Sequence, residues 1–161
     1  MNALQLFDAA RSRLADAPRE ALGELVVPKR FLGLARAPRI ERRGSAWHLG
    51  VLLLTEDAVF ATGDILRARQ EVRRGYTAES QRQRAELAAA AHRGGFAEGE
   101  IVHIGWRMLQ PGAVDRGEAS APLFDADGVP SVRWSAAGGL MPLDAYLSER
   151  VALLRDPPGG A

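Results

Sequence analysis

Arginine residues have the strongest potential for chemistry in this sequence. Of the 21 basic residues in the chain of 161, only Lys29 is a lysine. A guanidinium group binds phosphate or carboxylate through paired hydrogen bonds, because its N–H donors are fixed in one plane. Seven candidates for a small-anion site lie on predicted strands: Arg67, Arg69, Arg73, Arg107, Arg133, His48 and His103.

Two interpretations of this set are open. If the strands share one side of a sheet, the guanidinium groups line a surface that suits phosphate, a nucleotide or a carboxylate. The alternative is a solvated sheet face whose charge is balanced by Glu41, Glu71 and Glu100. The net charge of +1 gives no argument for nucleic acid or for an anionic membrane. Single-stranded nucleic acid also favours interleaved aromatic residues, which the arginine face lacks, so DNA and RNA are not expected partners.

The sequence lacks the catalytic residues and motifs that several classes of enzyme need. The chain has no cysteine, which removes disulfides, thiolate metal ligands and cysteine nucleophiles. No Gly-x-Ser-x-Gly motif is present, and the single lysine has no serine three residues before it. The three histidines are far apart in the sequence, and no glycine-rich phosphate loop occurs. We therefore expect no catalytic residue, no metal and no cofactor.

Targeting and membrane-spanning segments are not predicted. The first residues lack a basic stretch followed by an apolar core, which a secretory signal needs. The apolar run from Val51 to Leu54 is far shorter than the roughly 18 residues that cross a bilayer. The expectation is a cytoplasmic protein without membrane insertion.

The elements that must position the candidate side chains follow from residue spacing. Leu4, Phe7 and Leu14 recur at helical spacing and predict a first helix from Ala3 to Ala15. A second short helix is predicted from the capping residue at 16 and the proline at 18, so that residues 1–25 hold N-terminal helices. The next segment is irregular, and its apolar residues are expected to pack on the domain: Val26, Phe31, Leu32 and Leu34.

A β-rich core is predicted over residues 39–136. The stretch "AWHLGVLLLT" is typical of a central strand, "AVFAT" of its partner and "ILRARQEV" of a half-solvated strand. "EIVHIGWRML" alternates between an apolar face and a polar face that carries His103, and "DADG" predicts a hairpin turn. A helix capped by Thr77 is inserted over residues 77–93. The three tryptophans are expected in the core: Trp47, Trp106 and Trp134.

A C-terminal helix over residues 142–155 completes the predicted fold, and residues 156–161 form a tail. Leu143, Tyr146 and Val151 belong to an apolar stripe at helical spacing. The class is α+β, in a single domain over residues 1–161. The strands are expected to form an antiparallel sheet or a partly open barrel of about seven short strands, with the N-terminal, inserted and C-terminal helices around it.

Two resemblances are visible in the sequence. "GVLLLTEDAVFATG" resembles a hairpin of bacterial pleckstrin-homology-like and GRAM-type domains, which implies a bent, partly open barrel over residues 39–154. The chain as a whole is similar to a family of short actinobacterial proteins, on "LGLARAPRI", "AWHLGVLLLT", "FATGDILRA", "GGFAEGE" and "PLDAYLSERVALL". Some members of that family carry the label glutaminase.

The function predicted from these observations is that of a non-enzymatic binding or interaction module that associates with a second copy of itself. One alternative is a protein that binds a small anion at the arginine-lined sheet face. A second alternative is a glutaminase-like amidohydrolase, which the motifs do not support. The expected partners are a second copy of the chain and a small anionic ligand.

Overall fold

The fold is described from a computed structural model, which covers residues 1–71, 75 and 78–159. These residues hold four helices and ten strands in a mixed α+β arrangement, as predicted. The helices are α1 (Ala3–Leu14), α2 (Glu79–Arg93), α3 (Pro111–Asp115) and α4 (Leu143–Arg155). The strands are β1 (Glu20–Val26), β2 (Arg39–Leu49), β3 (Leu52–Leu54), β4 (Val59–Ala61), β5 (Asp64–Arg67), β6 (Ile101–Ile104), β7 (Arg107–Met108), β8 (Leu123–Ala126), β9 (Val129–Arg133) and β10 (Leu140–Pro142).

The chain forms two compact units, and β2 contributes residues to both. The first unit contains Met1–Arg19, Ala46–Thr62 and Trp106–Ala161, and the second contains Glu20–Ser45 and Gly63–Gly105. Along the hydrogen bonds, the strands of the larger sheet follow the order β5-β6-β1-β2-β3-β4-β7. The three remaining strands form a separate sheet in the order β10-β9-β8.

The first unit is built around α1, α4 and two groups of strands. α1 begins with a capping box between Asn2 and Gln5, and its apolar face is buried. α4 buries the predicted stripe of Leu143, Tyr146 and Val151, and the two helices pack together. β3 pairs with β2 and β4, and β4 pairs with β7, all antiparallel. The packed side chains, which include Trp47, make one continuous hydrophobic core.

The second unit combines three paired strands with α2. β6 lies between β5, which is antiparallel to it, and β1, which is parallel to it. The core joins Ile40, Val102 and Ile104 to Phe96 and the alanine face of α2. α2 ends at Gly94 as predicted, where the backbone passes so close to the Ile40 carbonyl that no larger residue fits.

Several predicted elements differ in the structure. The prediction of a second N-terminal helix is wrong, because residues 20–26 form strand β1, in which Ala21 and Leu22 are buried. The larger sheet is mixed and not antiparallel throughout, since β1 and β6 run parallel. The described strands do not close into a barrel, because β5 and β7 are the end strands of the larger sheet and do not pair with each other. The predicted long strand after Glu100 is two strands, since Gly105 adopts a φ of 69° that ends β6 before β7 begins.

Other predictions are confirmed at the level of single turns and helices. Asp127 and Gly128 form the β8–β9 turn with φ values of 52° and 85°, which suits a tight hairpin turn. α1 and α4 lie within two residues of their predicted bounds. The inserted helix begins at Glu79, and its predicted cap at Thr77 lies outside the described residues.

The apolar segment between β1 and β2 is not packed on the core. Phe31, Leu32 and Leu34 are exposed, and Val26 is half-buried, so the expectation that this segment is covered is wrong. Among the residues that the structure describes, no helix has the length and apolar character needed to cross a membrane.

Candidate functional site

The structure divides the predicted arginine set between the two units. Arg107 and Arg133 border a cleft in the first unit. Arg67 and Arg69 border a different cleft in the second unit. Arg73 lies outside the described residues. The expectation of a single arginine surface therefore becomes two separate candidate sites, each described on its own.

The cleft of the first unit has a volume of about 430 Å³ and is here named the arginine–tryptophan cleft. Two cations, two aromatic rings and two hydroxyl groups contribute to its lining, together with small apolar residues. The lining residues are Val51, Ala61, Thr62, Arg107, Ala121, Pro122, Phe124, Arg133, Trp134, Ser135 and Ala136. Its volume falls within the range of about 300–1,000 Å³ that is usual for small-molecule sites.

Two consecutive carbonyl groups bring the arginines to this cleft. The Nη2 atom of Arg107 donates to the carbonyl of Ala121 at 2.8 Å. The backbone N–H of Arg133 donates to the carbonyl of Pro122, also at 2.8 Å. The guanidinium of Arg133 then lies over the ring of Phe124, 5.2 Å from its centroid. Each guanidinium is thus fixed on one side and keeps N–H donors available on the other.

Trp134 forms an exposed aromatic wall, which the sequence did not predict. Its side chain is 47% exposed, so the expectation of a core position is wrong for this residue, whereas Trp47 is buried as expected. The indole lies against Gly139, where an added Cβ would come within 2.8 Å of Nε1. The backbone N–H of Trp134 donates to the Gly139 carbonyl at 3.2 Å, which closes the loop after β9. The sequence signal that could have indicated an exposed Trp134 is the glycine-containing loop that follows it directly at the end of the strand.

Val51 forms a rigid part of the cleft wall because both of its backbone polar groups are engaged. Its N–H donates to the hydroxyl of Tyr146 at 2.8 Å, and its carbonyl accepts from the backbone of Thr62 at 3.1 Å. The Tyr146 hydroxyl in turn donates to the carbonyl of Leu49 at 2.8 Å. Burial raises the pKa of Tyr146 above its ordinary value, against the opposing effect of the hydrogen bond from Val51.

The charge of the arginine–tryptophan cleft is entirely positive. Within the described part of the chain, no carboxylate belongs to its lining and no residue forms an ion pair with Arg107 or Arg133. Elsewhere, Arg42 is held by Glu100 at 2.8 Å and Arg43 by Glu24 at 2.6 Å. Two cations without a carboxylate partner on one concave surface favour an anionic ligand.

The second unit has a larger cleft of about 650 Å³ between β5 and α2. Arg67 and Arg69 line it together with Arg84, a residue that the sequence did not single out. Polar side chains of α2 add hydroxyl and amide groups to the lining. Asp64 places a carboxylate on the same surface, and none of the lining residues that the structure describes is aromatic. This cleft is therefore less favourable for an anion with an apolar part.

The two candidate histidines belong to different units. His48 is half-buried in the first unit, with Nε2 at 2.9 Å from the carbonyl of Gly50. His103 is fully buried in the second unit, with Nε2 at 2.9 Å from Oε1 of Glu20. The prediction that His103 lies on a polar face is wrong, because successive residues of β6 are buried and His103 itself is fully buried. A carboxylate beside the imidazole does not favour an anion at this position.

No protein-family model, no curated protein and no solved structure matched the chain. The resemblances to pleckstrin-homology-like domains and to short actinobacterial proteins therefore stay predictions.

Proposed function

We propose that this chain is a binding protein for a small organic anion that has a flat apolar part. The arginine–tryptophan cleft is the proposed site. One observation carries the proposal: two guanidinium groups without a carboxylate partner share a concave surface with two aromatic rings. This proposal belongs to the predicted class of binding modules and gives it a site and a chemical class of ligand.

The two parts of the cleft suit the two parts of such a ligand. A carboxylate or phosphate between Arg107 and Arg133 would receive charge-assisted hydrogen bonds, which are stronger than bonds between neutral groups. A planar ring beside it would stack against Trp134, whose exposed face is apolar. Thr62 and Ser135 add hydroxyl groups that fix orientation. Aromatic carboxylates and mononucleotides share this chemistry.

The experiment compares matched ligands by calorimetric titration of the complete chain. Benzoate and adenosine monophosphate are the anionic probes, inorganic phosphate lacks the ring, and benzamide lacks the charge. We expect binding of at least one anion that has a ring, and weaker binding of phosphate and benzamide. Absence of binding by both ring-bearing anions would contradict the proposal.

Variants locate the site. Arg107→Gln and Arg133→Gln each remove one cation, and a hydrogen bond to a charged group contributes about 1.5–3 kcal/mol, so affinity should fall about tenfold or more. Arg13→Gln removes the same charge from an exposed position on α1 and serves as the control. Arg67→Gln tests the other cleft. Equal losses in the control, or losses only in Arg67→Gln, would place the ligand elsewhere.

A further inference from the structure

We propose that the segment between β1 and β2 attaches the protein to the surface of an anionic lipid bilayer. The segment covers residues 27–38 and is named the apolar hairpin. Its tip is a formed turn, because Phe31 and Leu34 exchange backbone hydrogen bonds of 3.2 and 3.0 Å. The two residues between them, Leu32 and Gly33, have φ values of 52° and 76°, which is the geometry of a tight hairpin turn.

The apolar side chains of this hairpin are presented to solvent. Leu32 is 87% exposed and Leu34 is 73% exposed, and Phe31 and Val27 are exposed as well. Large apolar side chains that are exposed next to one another mark an interaction site, whereas single exposed apolar residues are common on any protein surface. Leu32 also occupies a left-handed position where asparagine or glycine would be less strained. A leucine at the very tip therefore indicates contact with an apolar phase.

The charges of the hairpin select the partner. Lys29, Arg30 and Arg36 are exposed, and no acidic residue lies between Val27 and Pro38. The hairpin thus carries a charge of +3 in a chain whose net charge is only +1. The guanidinium of Arg36 lies 5.3 Å from the ring centroid of Phe31, so a cation directly borders the apolar tip.

An apolar tip bordered by cations matches the two layers of an anionic bilayer surface. Aliphatic side chains enter the boundary of the acyl chains, while Lys and Arg remain among the anionic headgroups. A second copy of the chain is less suitable, because two hairpins of +3 repel each other. Nucleic acid is less suitable as well, since bases stack on aromatic rings and the tip is mainly leucine.

The test is flotation of the complete chain with lipid vesicles. One set contains phosphatidylglycerol and phosphatidylcholine in equal amounts, and the other contains phosphatidylcholine alone. We expect binding to the anionic vesicles, weaker binding to the neutral ones, and weakening by added salt. Failure to bind the anionic vesicles, or equal binding to both sets, would overturn the proposal.

Variants of the hairpin separate the apolar and charged contributions. Leu32→Asn keeps a residue that tolerates the turn and should lower vesicle partitioning about tenfold, because one leucine leaves the acyl boundary. Lys29→Gln should reduce binding to anionic vesicles only. Leu153→Asn removes an exposed leucine of α4 and is the control. Thermal unfolding of each variant checks that the fold is intact.

Two further readouts identify a different occupant. Sedimentation that shows a dimer lost in Leu32→Asn would assign the hairpin to self-association and overturn the proposal. A gel shift with single-stranded DNA that depends on the hairpin cations, without vesicle binding, would also overturn it. Arg107→Gln should leave vesicle binding unchanged, so failure here and failure of the cleft proposal are distinguishable.

Discussion

Replacing Tyr146 with phenylalanine tests how the wall of the arginine–tryptophan cleft is held. The Tyr146 side chain is buried, and its hydroxyl bridges the carbonyl of Leu49 and the N–H of Val51, each at 2.8 Å. Phenylalanine keeps the ring and removes both bonds. A hydrogen bond contributes about 1 kcal/mol net, and a buried group left unsatisfied costs about 1–3 kcal/mol. Since Leu49 is fully buried and Val51 is half-buried, we expect a loss of about 2–3 kcal/mol in the free energy of unfolding.

This loss is measurable by urea denaturation followed by circular dichroism and by thermal unfolding. For a chain of this size, about 2–3 kcal/mol corresponds to a decrease in Tm of about 4–10 °C. Ser148→Ala removes an exposed hydroxyl from the same helix and should change stability by less than about 0.5 kcal/mol. A change of that small size in Tyr146→Phe would refute the hydrogen-bond argument.

The same variant has a pH signature. Burial raises the pKa of Tyr146, so the folded state disfavours its ionised form. The stabilisation is fully present below the ordinary tyrosine pKa of about 10 and is lost as pH rises through the higher pKa of the folded state. The difference in stability between the wild type and Tyr146→Phe should therefore shrink above about pH 10. A difference that stays constant from neutral to strongly alkaline pH would contradict this reasoning.

Two further predictions concern the loop after β9 and the acid side of the stability curve. Gly139→Ala places a Cβ 2.8 Å from Nε1 of Trp134, so the indole must shift. We expect altered tryptophan fluorescence emission and weaker anion binding. Gly159→Ala is the control, because an added Cβ there meets no other atom within 4 Å. Burial opposes ionisation of Glu100, but hydrogen bonds from Arg42 and from a backbone amide outweigh it and lower its pKa. The ionised Glu100 carboxylate therefore stabilises the fold at neutral pH, and this stabilisation is lost as the pH falls below about 4.5. Arg42→Gln should lower the free energy of unfolding at neutral pH and much less at pH 3, which urea denaturation at the two pH values measures.

Local signals in the sequence predicted local structure well. The helical spacing of Leu143, Tyr146 and Val151 locates α4, and Asp127-Gly128 locates the β8–β9 turn. Both depend on residues close together in the chain, for which periodicity and turn chemistry are sufficient. β1 was missed because Asp16 suited a helix cap, whereas the pairing of the strand with β6 joins residues about 80 positions apart.

The position of the candidate site depends on which strands pair, and the alternation of apolar and polar residues along a single strand does not contain that information. Arg67 and Arg107 both lie on strands, but β5 pairs with β6 and β7 pairs with β4, which places them in different units. By the alternation of the strand, Trp134 should share a face with the buried Val132. It lies one residue beyond the end of β9, however, and its indole packs against Gly139. Long-range pairing and strand ends therefore limited the prediction of the site.

The path of the chain between the two units has a consequence for genetic dissection. The backbone passes from one unit to the other after Arg19, Ser45, Thr62 and Gly105. No single truncation can release either unit intact, because each is assembled from separate stretches of sequence. An isolated second unit would need Ser45 joined to Gly63 by a new linker. Deletions from either terminus should therefore damage the first unit before the second, because Met1–Arg19 and Trp106–Ala161 both belong to the first unit.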